Sequence, residues 1–89
     1  MASVTLDSFL AEFVPKRRLT IEAGSLPELL DRLEAQYPAL RFRLRDETGR
    51  IRRFVRLFVN GQEVPRSAEA AAPLGPDDSV DVLHSIQGG

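Results

Sequence analysis

Gly88-Gly89 ends the sequence behind a strand-like run that begins at Ser79. A backbone without side chains that terminates in a carboxylate is a shape that another enzyme's narrow cleft can admit. An α-carboxyl has an ordinary pKa of about 3.3–3.7, so Gly89 is an anion at neutral pH and a poor acyl donor until something activates it. The competing reading is a frayed end, because terminal glycines add nothing to a core and are costly to order. Little other chemistry is available. The chain has no cysteine, hence no thiolate nucleophile and no disulfide frame. His84 is the single histidine, which excludes a His/Cys metal site, and the carboxylates lack the clustered spacing of a calcium loop. His84 lies close to the glycines and invites a reading as a base. With no nucleophile beside it and no third group to orient it, ordinary packing or surface exposure is the preferred role.

The second chemical feature is a run of guanidinium groups. Arg41, Arg43, Arg45, Arg50, Arg52, Arg53 and Arg56 share their segment with only Asp46 and Glu47, although the formal net charge of the whole chain is −1. Such a stripe can contact phosphates or nucleic acid. The slightly acidic balance and the sparse aromatics Phe42, Phe54 and Phe58 favour instead a solvated strand face, or a patch that receives an acidic protein. Nucleic acid is not expected as a partner. The N-terminus lacks the basic and apolar regions of a signal peptide, and no apolar run approaches the ~18 residues of a membrane span. A cytoplasmic protein that does not engage membranes is the expectation.

These groups need elements to position them. With 89 residues the chain makes one small domain, too small for a deep enclosed active site. Val4-Thr5-Leu6 alternates as a strand with Val4 and Leu6 inward. Phe9, Leu10, Phe13 and Val14 fit either a short helical turn behind Asp7 or Ser8 or a bulged continuation of the strand, ended by Pro15. Leu19, Ile21 and Ala23 share one face of a second strand, completing a hairpin. Ser25 and Glu28 form a capping box with Pro27 in the first turn. Leu26, Leu29, Leu30, Leu33 and Tyr37 then follow helical spacing up to Pro38. Leu40 to Arg45 alternates strictly and predicts a strand, with a turn at Asp46-Glu47-Thr48-Gly49. Val55, Leu57 and Val59 point inward on the next strand, with Arg56 and Phe58 outward. Asn60-Gly61 predicts a type I′ turn into a short return strand at Gln62-Glu63-Val64. A loop-like crossing from Ser67 to Asp78 carries one weak helical turn at Ala68–Ala72, and Ser79 to Leu83 is the last strand, with Val80 and Val82 inward. The expected class is α+β: a small mixed sheet with one main helix packed across it, the order of the ubiquitin-like β-grasp fold. The predicted organisation is a β-grasp domain over residues 1–85 and a flexible C-terminal tail over 86–89.

The opening strand, Ser25-Leu26-Pro27-Glu28-Leu29-Leu30, Phe54 to Gly61, Leu74 to Val80 and terminal Gly88-Gly89 together resemble the MoaD/ThiS family of ubiquitin-like sulfur carrier proteins, in particular its CysO-like members. The resemblance spans nearly the whole chain. Two departures affect the subfamily: Asp77-Asp78 stands where many carriers have Gly-Asp, and His84-Ser85-Ile86-Gln87 where many have proline and small apolar residues.

The resemblance implies a non-enzymatic carrier. A ubiquitin-activating-like adenylyltransferase would use ATP to adenylate Gly89, and sulfur would replace AMP to leave a terminal thiocarboxylate. A downstream sulfur-accepting enzyme of cofactor or cysteine biosynthesis would then receive the sulfur. No permanently bound cofactor or metal is implied. Gly88, Gln87 and Ile86 would thread and dock the tail, with Ile86 either a docking contact or the last residue anchored to the sheet, and Ile86–Gly89 fully extended would reach roughly 13 Å beyond the body. Arg56 and Phe58 are candidates for a partner surface, although a scattered aromatic needs no function. Two other classes start from the same sequence. One is a ubiquitin-like modifier joined through Gly89 to a target lysine. The other is a β-grasp binding module that docks through its sheet and would not need the glycines.

Overall fold

A computed structural model describes residues 1–65 and 72–84. Five strands and one α-helix form in the order β1 (Ala2–Leu6), β2 (Arg18–Ile21), α1 (Leu26–Gln36), β3 (Val55–Val59), β4 (Gln62–Glu63) and β5 (Ser79–His84), with short 3-10 turns at Leu10–Phe13 and Pro38–Leu40. The sheet order is β2-β1-β5-β3-β4. β1 runs antiparallel to β2 and parallel to β5, while β3 is antiparallel to both β5 and β4. Among the described residues, the mixed sheet with one α-helix on one face is the β-grasp arrangement that the element order predicted.

Alternation along each strand decides which face is buried. Val4, Leu6, Val55, Leu57, Val80 and Val82 are fully buried, as are Leu26, Leu29 and Leu33 of α1 facing them. Truncating one of these leucines to alanine costs about 2–5 kcal/mol. The helix starts with the Ser25 half of the predicted capping box, while the Glu28 side chain reaches one residue past the N-cap to Gly24. Ser25 Oγ accepts the Glu28 N–H at 3.3 Å, and Glu28 Oε1 reaches back to the Gly24 N–H at 2.7 Å. Tyr37 caps its far end, because the residue before Pro38 is pushed out of the helical region. Beyond β3, Asn60 and Gly61 have φ of 52° and 85°, the two positive values of a type I′ turn.

At the first ambiguous segment the helical turn forms rather than the bulge. Asp7 Oδ1 accepts the Leu10 N–H at 2.9 Å, giving the turn a cap that a continued strand would not use. The predicted strand from Leu40 to Arg45 does not form. Pro38 instead opens a 3-10 turn, with Leu40 N–H bonded to the Tyr37 carbonyl and Arg41 N–H to that of Pro38. Phe42 then takes a φ of 65°, which no strand accommodates. Leu40 and Leu44 are buried while Phe42 between them is exposed, so the apolar period here is four residues and not two. The arginines from 41 to 53 are correspondingly not a strand face, whereas Arg56 lies on β3. Arg45 turns back onto α1, where it meets Asp31 at 2.7 Å and Glu34 at 2.9 Å. The Asp46–Gly49 turn is as predicted, with Asp46 Oδ1 accepting from the Thr48 and Arg50 N–H groups and Gly49 at a φ of 86°. The weak helical turn at Ala68–Ala72 falls outside the described residues except for Ala72, whose carbonyl accepts the Leu26 N–H at 2.8 Å.

Candidate functional site: the root of the C-terminal segment

The central strand β5 delivers the chain to its last residues, and its end is held from three directions. Within the sheet, His84 is paired with Val55 of β3. From the β1 side, Asp7 Oδ2 accepts the His84 backbone N–H, and the Asp7 N–H donates to the Val82 carbonyl at 3.2 Å. From the helix side, the His84 imidazole stacks on Phe9, with centroids 4.2 Å apart and planes at 26°, and meets Phe54 at 4.8 Å. Its Nδ1 is buried and has no hydrogen-bond partner among the described residues. The imidazole is therefore a packed ring at the end of β5, with aromatic neighbours and, among the described residues, no partner for Nδ1. The sequence places Asp7 and Phe9 in the first helical turn but does not connect either of them with His84. The only available signal was that Asp7 follows a strand and precedes an apolar cluster, which does not reveal a contact 77 positions away.

Gly89, Gly88, Gln87 and Ile86 all lie outside the described residues, which stop at His84 on this side. What the structure places is their point of departure, at the end of the sheet's middle strand. Among the described residues no cluster of His, Cys, Asp and Glu is arranged to hold a metal ion. No helix among them is long and apolar enough to cross a membrane.

The open face of the sheet carries the predicted partner residues. Arg56 and Phe58 project from β3 on the side away from α1, opposite Leu83 and Asp81 of β5. Phe58 is half-buried, so neighbouring side chains cover part of its ring. Arg56 is paired across the β3–β4 hairpin with Glu63 at 3.1 Å, an exposed ion pair of small energetic weight. Leu83, 39% exposed, adds an apolar side chain to this face. The alternation of Val80 and Val82 already implied its outward direction. The β3 end of the hairpin is tied to β5 through Asn60, whose Oδ1 accepts the Ser79 N–H and whose Nδ2 donates to Asp78 Oδ1, each at 3.0 Å. Asp78 also accepts the Gly75 N–H at 2.7 Å. That bond first, and Asn60 second, hold its carboxyl below the usual range.

Comparison with known proteins adds the family. The ThiS family model matches residues 8–89, a span that includes the terminal glycines. The sulfur carrier protein CysO of Mycobacterium tuberculosis is 30% identical over 76 residues, covering 83% of this chain and 82% of that protein. Among solved structures, the Amycolatopsis orientalis BexX/CysO complex matches with a TM-score of 0.87 at 21% identity over 100% of both chains. The small archaeal modifier protein 1 of Methanosarcina acetivorans matches with a TM-score of 0.85 at 21% identity, over 99% of this chain and 95% of that one. At such identities the structural matches establish the fold, while the family model and the curated relative establish kinship: the chain belongs to the ThiS family of ubiquitin-like sulfur carrier proteins.

Proposed function

We propose that this protein carries sulfur as a thiocarboxylate on Gly89. The observation that supports this most directly is the family match running through residue 89, together with a sulfur carrier as curated relative. The Gly89 carboxylate attacks the α-phosphorus of ATP in the site of a ubiquitin-activating-like adenylyltransferase, forming the acyl-adenylate and releasing pyrophosphate. Hydrosulfide, or sulfur delivered at that oxidation level, then attacks the acyl carbon. AMP leaves, one proton is released, and the thiocarboxylate remains. A biosynthetic enzyme receives the sulfur. Gly88, Gln87 and Ile86 pass through the cleft, and the open sheet face with Phe58 and Arg56 offers contact area to an enzyme holding the domain. On this reading the domain supplies no reacting group other than its terminal carboxylate.

A second reading, a protein modifier joined to lysines through Gly89, is favoured by one observation: the fold matches the small archaeal modifier protein 1 closely. Both fates begin with the same adenylate. Incubation with the organism's activating enzyme, ATP and a sulfur donor, followed by intact-mass measurement, separates them. A gain equal to sulfur replacing oxygen, mapped to Gly89, supports the carrier. An unmodified terminus with high-mass conjugates in cells supports the modifier.

A further inference from the structure

Phe42 stands in the left-handed region at a φ of 65°, a conformation that a bulky residue adopts only under strain. Its ring is 54% exposed, so the core gains little from it. The surrounding chain nevertheless holds it in place. Leu40 and Leu44 on either side are fully buried, the Arg52 Nε donates to the Phe42 carbonyl, and Arg45 is anchored on Asp31 and Glu34. Strain that the structure over-determines is characteristic of functional positions. An exposed aromatic among arginines has the composition of an interface anchor. The Arg41 guanidinium lies 5.6 Å from the Phe42 ring, and Arg43 and Arg50 are also exposed.

This surface is continuous with the root of the tail. Arg43 lies 3.9 Å over the Phe13 ring, Phe13 meets Phe9 at 5.9 Å, and Phe9 stacks on His84 at 4.2 Å. A protein that grips the chain where β5 ends therefore meets the rings of Phe9 and Phe13 and then Arg43, the residue next to Phe42. The segment Ser85-Ile86-Gln87-Gly88-Gly89 contains no charged side chain, so side-chain charges that attract a partner come from the folded body. Asp31, Glu34, Asp46 and Glu47 border the same loop, which suits a compact protein face better than an extended polyanion.

We propose that the Phe42 loop is a docking surface for the adenylyltransferase that activates the tail, distinct from the open sheet face. Phe42 fills an apolar pocket on the enzyme, and Arg41, Arg43 and Arg50 face carboxylates around it. This rests on the reading that Gly89 is a substrate of such an enzyme.

The test is calorimetric binding of the full-length carrier to that purified adenylyltransferase without ATP, comparing wild type with Phe42→Gly, Arg41→Glu and Arg41→Lys. Glycine relieves the left-handed strain, so Phe42→Gly is expected to melt at or above the wild-type temperature while binding about tenfold more weakly or worse. Arg41→Glu should weaken binding by an amount that shrinks as salt is added, and Arg41→Lys should retain most of it. Binding of both Phe42→Gly and Arg41→Glu within about twofold of wild type, a difference too small for an anchor residue, would overturn the proposal. So would a wild-type protein that does not bind the enzyme. If wild type binds, the variants lose affinity, and the mass of Gly89 still never changes on incubation, the docking surface stands and the thiocarboxylate reading falls.

Discussion

The carboxylate of Asp7 serves two backbone groups that are far apart in the chain. Its Oδ1 accepts the N–H of Leu10, starting the 3-10 turn, and its Oδ2 accepts the N–H of His84, where β5 releases the chain toward its end. One side chain thus couples the packing of Phe9 and Leu10 to the root of the tail, and it does so beside the parallel β1–β5 pair at the centre of the sheet.

The two roles can be separated by substitution. Serine still caps a turn but cannot also reach His84, so Asp7→Ser is expected to lower stability by about 1 kcal/mol and to speed hydrogen exchange at the His84 amide. Asp7→Ala should cost about 1 kcal/mol more through loss of the cap. Unchanged exchange at His84 in the serine variant would mean that the bond contributes nothing to holding the root.

Gly89→Val should leave the fold untouched, since the residue follows the last strand. Its melting curve should overlay that of wild type, while adenylation, followed as ATP–pyrophosphate exchange with the activating enzyme, should be abolished by the side chain in the cleft. Efficient exchange with this variant would defeat the threading argument for Gly88 and Gly89.

At Gly61 the cost of substitution is conformational alone. The residue has a φ of 85°, and nothing lies within 4 Å of where a Cβ would stand. Gly61→Ala should therefore destabilise by about 1 kcal/mol in chemical denaturation, with no change in the denaturant slope. A much larger loss would point to a contact with the turn rather than to its backbone angle.

Acid should weaken the fold through three carboxyls. Glu28 is held below the ordinary range by the Gly24 N–H and then by Arg32, Asp46 by the Thr48 hydroxyl, and Asp78 by the Gly75 N–H and then by Asn60. In each case the folded pKa lies below the unfolded one. Their stabilisation is therefore complete above the unfolded values, about 3.9 for Asp and 4.3 for Glu, and is lost as the pH falls through the folded values. Melting temperatures should be level near neutrality and decline below about pH 4, less steeply in Asp78→Asn. A melting temperature that rises on acidification would contradict the assignment.

Much of this architecture was legible residue by residue. Ser25 with Glu28, Pro38 after Tyr37, Asn60-Gly61 and the inward alternation of Val55, Leu57, Val80 and Val82 are local signals, because caps, turns and strand faces depend on neighbours within a few positions. The outward direction of Arg56 and Phe58 followed from the same alternation. The segment from Leu40 to Arg45 was not legible in this way. Apolar residues at 40, 42 and 44 satisfy a strand, yet they equally satisfy a loop that buries Leu40 and Leu44 and turns Phe42 outward. The partners that accompany the second outcome, Asp31 and Glu34 for Arg45, lie on α1, and the Phe42 carbonyl meets Arg52 ten residues on. Nor does any local pattern foretell that Asp7 receives His84, or that Phe9 and Phe54 enclose its ring. Periodicity reports which way a side chain faces within its own element. Which groups then meet depends on how β1, β5 and the loops pack together, and that packing is a property of the assembled sheet and helix alone.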